Sequence, residues 1–287
     1  MRQGFLYIIS GAERYFREAG QSVTSLRRHS PGAHVTLVSD AVPISLPHVS
    51  SWFDSVVTQP DEPIAGRTLS PHVRGVTYRV RNIYRHSPYE RTCHVDSDTY
   101  FLGDLQPLFA LLDFYDMAMT LAPSDNTPVR VDGRELVGYT PYNCGLIVFR
   151  KSELTERFFE RWHHWQVATL GDPQVNGNDQ VTFMRTLLEV PCRVAVLQDN
   201  WNARTNGHER FRGPVQLIHG RHADPERVGR ALNAAAAELR VWIPGVNVCL
   251  YDRMTLAQHV AYCVKTTRVL VRAVLRRLAQ RVSGKAS

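Results

Sequence analysis

The apolar positions of the chain follow two alternating rhythms. Phe5 to Ile9 is a short apolar run and His34 to Ser39 (HVTLVS) is another; both have the length and composition of buried strands. Between them Phe16, Ala19, Val23 and Leu26 recur at helical spacing within Glu13 to His29, and Pro31-Gly32 breaks the pattern. Strand, helix, strand predicts a parallel pair joined by a right-handed crossover. Ligands of such sheets sit outside the carboxyl ends of the strands. That topology places Ser10, Gly11 and Asp40 on a ligand edge before any motif is invoked.

The alternation continues. Ser55 to Thr58 predicts a third strand, and Val76, Val80, Ile83 and Tyr84 predict a helix ending at Ser87-Pro88. Arg91 to Val95 predicts a fourth strand that delivers Asp96-Ser97-Asp98. Leu105, Leu108, Phe109 and Leu112 predict a helix, and Met117 to Leu121 and Leu146 to Phe149 predict strands. The polar stretch between these two, Pro123 to Pro141, is long enough to be a functional loop. Glu153 to Val167 and Gln180 to Leu188 read as helices, Val194 to Leu197 and Val215 to Ile218 as late strands. Ala234 to Ala237 is placed in a helix. No internal repeat is present.

From about Thr255 the pattern is helical again. Val264, Val271, Val274, Leu275, Leu278 and Val282 share one stripe; Arg268, Arg272 and Arg276 fall four apart on another. Charge gives this tail its meaning. The chain of 287 residues carries 34 Lys and Arg against 27 Asp and Glu, a net of +7. Eight of the basic residues and none of the acidic ones lie in 253–287, which leaves a near-neutral body and a strongly basic tail. Basic amphipathic helices of this kind lie on anionic membrane surfaces. The competing readings of residues 255–287 are a helix that packs its apolar stripe on the body and solvates its arginines, and, as the least favoured, a nucleic-acid anchor. A nucleic-acid-binding body would spread its basic charge over a face of the fold.

The remaining composition is that of a globular chain, 44% hydrophobic and 21% charged. No stretch approaches the roughly 18–20 apolar residues of a membrane span. The first apolar run is too short for a signal peptide, so a cytoplasmic protein is expected, peripheral on the inner face of the membrane if the tail binds lipid. Five scattered cysteines without zinc spacing read as buried thiols.

Asp96 and Asp98 carry the clearest chemistry. Two carboxylates two apart at a strand end point the same way and can share one hard divalent cation, which keeps positions open for phosphate oxygens. Asp-x-Asp alone is a weak motif, and a solvated turn is its ordinary fate. The apolar strand before it strengthens the functional reading.

The run Ser87-Pro88-Tyr89-Glu90-Arg91-Thr92-Cys93-His94-Val95-Asp96-Ser97-Asp98-Thr99, followed by Gly103-Asp104-Leu105, resembles the metal-binding segment of GT-A nucleotide-diphospho-sugar transferases. It is most similar to glycosyltransferase family 8 and related bacterial glycosyltransferases. Further matches follow in order: Asn143-Cys144-Gly145 through Phe149, Asn178-Asp179-Gln180, Trp201-Asn202 and Ile218-His219-Gly220. The resemblance spans roughly residues 4–222.

The resemblance implies an α/β, Rossmann-like GT-A fold, a mostly parallel central sheet flanked by helices over 1–224; the pattern of the tail adds a helical C-terminal region over 225–287. The resemblance also implies Asp96, Asp98 and His219 as ligands of Mn²⁺ or Mg²⁺, and a nucleotide-sugar donor, UDP-linked. Ser10, Gly11 and Tyr15 match the first loop that holds the nucleobase, and Asp40 an acidic residue near it. Ser97 belongs to the donor set with the triplet. Asn143 and Gly145 would line the sugar pocket, Asp179 and Gln180 would act at the sugar, and Gly220 and Arg221 would approach the diphosphate. Two departures stand out. The family Lys on the helix before the triplet falls on Val80 here, with Arg79 or Arg81 as the substitute. The late motif His219-Gly220-Arg221-His222 lacks the usual Lys-Pro-Trp.

The implied activity is transfer of a sugar to an acceptor hydroxyl on a glycan or lipid-linked saccharide, with retention of configuration as in family 8. Asp179 is the nearest candidate base if the outcome is inversion. Two other functions compete: a sugar-phosphate nucleotidyltransferase, against which Ser10-Gly11-Ala12-Glu13 lacks a basic Gly-rich loop, and a non-catalytic carbohydrate- or membrane-associated protein on a degenerate transferase fold.

Overall fold

The computed structural model describes residues 2–282 apart from 43–45, 47, 65–66, 123–128, 132–133, 137, 174, 176, 208, 244–247 and 252–255. The chain opens with β1 (Gln3–Ile9), α1 (Glu13–His29), β2 (Val35–Ser39) and β3 (Ser55–Thr58). α1 starts with Glu13 and ends with Arg27, Arg28 and His29, charges that suit the helix dipole at each end. α2 (Pro71–Asn82) begins at Ser70, whose side chain caps Val73 N, with Pro71 in the first turn. β4 (Arg91–Val95), β5 (Thr99–Phe101), β6 (Met117–Met119), the hairpin β7 (Val129–Val131) and β8 (Arg134–Leu136), and β9 (Leu146–Arg150) follow.

The second half adds α3 (Glu153–Ala168), opened by a Ser152/Thr155 capping box, and α4 (Asp179–Glu189), capped by Asn178. Then come β10 (Val194–Val196), β11 (Ala203–Arg204), β12 (Glu209–Phe211), β13 (Leu217–His219), α5 (Pro225–Asn233), β14 (Arg240–Ile243), β15 (Val248–Tyr251) and α6 (Leu256–Val282).

Seven strands form the central sheet in the order β10-β6-β9-β4-β1-β2-β3. β1 pairs in parallel with both β2 and β4, as the opening pattern predicts. β9 runs antiparallel between β4 and β6. Helices cover both faces, so the strands are apolar on both sides. Phe5, Tyr7, Cys93, Val95, Leu146 and Val148 face a core with α1; Leu6, Ile147 and Phe149 face a second core with α2, α3 and α4. Fully burying one such side chain stabilises the fold by about 1.5–3 kcal/mol.

Some predicted elements differ. Leu105, Leu108, Phe109 and Leu112 lie on a buried stripe, but Gln106–Asp113 is a 3-10 helix rather than an α-helix. The polar stretch Pro123 to Pro141 contains the hairpin β7–β8; its first residues, 123–128, lie outside the described residues. Ala234 caps α5 and the alanines after it form turns, not a helix. β12, β14 and β15 make a small antiparallel sheet that no periodicity marked. Trp242 of β14 and Leu232 of α5 share a core with Ala203, Phe211, Val215 and Ile218, so the packing runs across residue 224. Of the cysteines, Cys93 and Cys144 are buried, Cys192 is half-buried and Cys263 is exposed.

Candidate active site

The carboxyl end of β4 is where the sheet meets its cavity. Asp96 follows β4 directly, and its backbone is fixed from two sides. Asp96 N donates to Gly145 O at 2.9 Å, and Thr99 Oγ1 donates to Asp96 O at 2.8 Å. Thr99 is itself held by Ser22, 2.7 Å away, and Ser22 by Tyr7, 2.8 Å away. This buried hydroxyl chain ties the triplet to α1 and β1. Burial raises the Tyr7 phenol well above its ordinary range, so it stays a neutral hydrogen-bonding group.

β13 brings the third ligand candidate. It pairs antiparallel with β5 so that His219 lies opposite Thr99, and Gly220 N donates to Asp98 O at 2.9 Å. His219 Nε2 then sits 3.6 Å from Asp96 Oδ2 and 3.6 Å from Asp98 Oδ1. One ligand atom from each of the three residues lies within 4.8 Å of the others. The opposite oxygens are engaged elsewhere: Asp96 Oδ1 by Arg79, and Asp98 Oδ2 by Arg221 Nη1 at 3.1 Å. Each aspartate thus turns one oxygen to an arginine and one toward His219.

The donor set fits a divalent cation. Burial outweighs Asp98 and Asp96 and lowers the His219 pKa, which favours the neutral imidazole. His219 Nδ1 lies 3.2 Å from Asn202 Oδ1, which can only accept, so Nδ1 carries the proton and Nε2 presents its lone pair. Asn202 Nδ2 donates to Asn143 Oδ1 at 3.0 Å and to Thr120 Oγ1 at 3.1 Å, and Asn143 Oδ1 also accepts from Gly145 N at 2.9 Å. Gly145 must lack a side chain. A Cβ there would lie 2.0 Å from His219 Cε1 and 3.0 Å from Asp96 Oδ2.

Arg79 decides the register left open on α2. Val80 is buried in the core, and Arg81 turns away from the triplet to Asp61 and Glu62. Arg79 instead points into the site and forms ion pairs with both Asp96 and Asp179, and Nη1 reaches Cys144 O at 3.4 Å. Burial pushes the Asp96 carboxyl upward, but Arg79 and the nearby histidines outweigh it and hold Asp96 far below the ordinary carboxylate range.

These residues line a cavity of about 780 Å³ together with Ser10, Tyr15, Ser97, Asn143, Gly145, Gln180 and Arg221. Gln180 Oε1 is buried and has no hydrogen-bond partner among the described residues. Tyr15 lies between two arginines, with Arg14 4.7 Å and Arg221 5.8 Å from its ring centre. Glu18 accepts from Arg221 Nε at 2.7 Å and from Ser97 Oγ at 3.4 Å. Gly11, Asp40 and Gly220 are not among the lining residues. Asp40 accepts from Gly11 N at 3.3 Å and pairs with Arg74 at 3.4 Å, so it braces the first loop from behind.

Three residues of the site escaped the sequence reading. His94 is buried behind the triplet, with Nε2 3.6 Å from Asp96 Oδ1 and Nδ1 3.1 Å from Leu6 O. Its signal was its position two residues before Asp96 on a strand, hence on the same face. Asn202 stands in the Trp201-Asn202 motif, for which the resemblance implies no specific role. Arg204 lines the cavity because β11 pairs with β13 at Arg204 and His219, and its Nε has no partner among the described residues.

No protein-family model matches the sequence, and no curated protein matches it. Solved structures do. Mouse xyloside xylosyltransferase 1 in its apo form superposes with a TM-score of 0.51 at 16% identity, over 77% of this chain and 98% of that one. The apo form of the glycosyltransferase GlyE of Streptococcus pneumoniae TIGR4 gives 0.53 at 14% identity, over 78% of this chain and 55% of that one, so this chain spans about half of GlyE. An active-site mutant of LgtC gives 0.50 at 13% identity, over 77% and 90%. The fold is the GT-A glycosyltransferase fold. At these identities the likeness establishes architecture.

Proposed function

We propose that this chain is a metal-dependent glycosyltransferase that moves a sugar from a UDP-sugar to an acceptor hydroxyl with retention of configuration. The observation that carries the reading is the convergence of Asp96 Oδ2, Asp98 Oδ1 and His219 Nε2 at one end of a cavity on the ligand edge of a GT-A sheet.

The three residues would hold Mn²⁺ or Mg²⁺, with the imidazole favouring Mn²⁺. Bound there, the ion supplies Lewis-acid stabilisation of a leaving diphosphate. The rest of the work belongs to the chain. Asn202 holds His219 in the ligating tautomer, and Arg79 keeps Asp96 ionised. Arg204 and Arg221 line the cavity on the His219 side and offer positive charge to a diphosphate, in place of the absent Lys-Pro-Trp. Gln180 Oε1, without a partner among the described residues, would accept a hydrogen bond from a hydroxyl of the donor sugar. Asp179 is ion-paired with Arg79, which makes it a poor candidate for the base that inversion requires and so supports retention.

Incubation with a panel of UDP-sugars and Mn²⁺ tests the reading. Mn²⁺-dependent release of UDP is expected, and lost on Asp98→Asn substitution. No hydrolysis or transfer with any donor, together with no Mn²⁺-dependent UDP binding, would overturn it. Formation of a nucleotide-sugar from UTP and a sugar phosphate would assign a nucleotidyltransferase instead.

A further inference from the structure

α6 carries an apolar face that the chain leaves open. Leu256, Val260, Val264, Leu270, Val271, Val274 and Leu275 are all exposed, Leu256 by 81% and Leu270 by 60%. At 3.6 residues per turn, Leu256, Val260, Val264, Val271, Val274 and Leu275 fall within an arc of about 100°. Lys265, Arg268 and Arg272, also exposed, follow directly along one border of that arc. No acidic residue occurs anywhere in 253–287.

The two features together select an occupant. An uncharged protein groove would accept the apolar arc but leave the basic border without a counter-charge. A nucleic acid would use the basic border and leave the apolar arc in water. A second copy of α6 would bring two basic borders into the same interface, where like charges repel. A bilayer containing anionic lipid satisfies both: the apolar arc enters the acyl boundary, and the Lys and Arg stems reach back to the phosphates. No described helix is long and apolar enough to cross a membrane, so α6 would lie along the surface. We propose that α6 docks the protein on an anionic lipid bilayer, in the headgroup plane.

Co-sedimentation of the full chain with phosphatidylcholine vesicles, with and without phosphatidylglycerol, tests this. Binding is expected to the mixed vesicles only, and to weaken as salt rises. The triple variant Lys265→Glu/Arg268→Glu/Arg272→Glu should lower partitioning by about a hundredfold or more. Val264→Asp/Val271→Asp/Leu275→Asp should abolish it even at low salt. All six positions are exposed, and circular dichroism should show both variants folded. No binding by the wild type, undiminished binding by either variant, preference for duplex DNA over vesicles, or a dimer that buries the arc would each overturn the proposal. The readout uses no donor and no metal, so it stands or falls apart from the transferase reading.

Discussion

Arg79 and Asp179 form an ion pair between α2 and α4, and the same guanidinium pairs with Asp96 beside the triplet. Both partners are about nine-tenths buried. Removing one member of a buried charge network leaves the others unpaired, at a typical cost of ~3–5 kcal/mol. Arg79→Ala should therefore lower stability by that order in urea denaturation and abolish UDP release. Arg79→Lys keeps the charge but has no fork to reach both carboxylates. It should retain most of the stability and lose most of the turnover. Equal stability of wild type and Arg79→Ala would show that the pair is not formed in solution.

Gly145 is the position where a single methyl group separates the fold from the Asp96-Asp98-His219 cluster. Its Cβ would fall 2.0 Å from His219 Cε1, so the imidazole must move. Gly145 precedes β9 and its φ is not positive, so Ala carries no conformational penalty there. Gly145→Ala should fold with a near-native melting temperature yet bind Mn²⁺ at least tenfold more weakly, read by titration calorimetry. Unchanged Mn²⁺ affinity would exclude His219 as a ligand.

That contact was not legible in the sequence, although its residues were. Asp96 and Asp98 could be named from the apolar strand that delivers them, and Asn143, Gly145 and His219 from the family resemblance of their motifs. Their wiring could not. Which oxygen faces Arg79, and that Asn202 orients His219, depend on side-chain directions set by packing across α2, β9 and β13. The choice between Arg79 and Arg81 was resolved by direction: Val80 belongs to the apolar stripe, and the arginines on either side turn to different carboxylates, Arg79 to Asp96 and Asp179, Arg81 to Asp61 and Glu62. The strands β7, β8, β14 and β15 escaped because three- and four-residue segments carry too little periodicity.

Asn202 offers a test of orientation separate from ligation. It touches His219 through Nδ1, the nitrogen that would not meet the metal. Asn202→Ala removes the acceptor and frees the ring to take either tautomer. Mn²⁺ affinity should fall about 10–100-fold, the usual effect of losing such a partner. Asn202→Asp restores an acceptor for Nδ1 and should recover part of the affinity, although it loses the donor to Asn143 and Thr120. Identical affinities for the two variants would mean that Asn202 acts only as a packing residue.

Glu209 gives the stability of this half of the molecule a pH dependence. It is only 5% exposed, and burial raises its pKa to about 8, with Asp199 adding to the effect and the hydrogen bond from Arg204 N opposing it. The folded state therefore holds the Glu209 proton more tightly than the unfolded chain, whose glutamate titrates near ~4.3. The sign follows from that difference. The contribution is full below about pH 4.3 and is lost as pH rises toward 8, a loss on the order of 5 kcal/mol for such a shift. Glu209→Gln mimics the protonated form at every pH and can still accept from Arg204 N. Urea denaturation should find the two proteins similar near pH 5. By pH 8.5 the Gln variant should be the more stable, with the gap widening steadily between. A constant difference across that range would mean that Glu209 is ionised in the folded protein throughout.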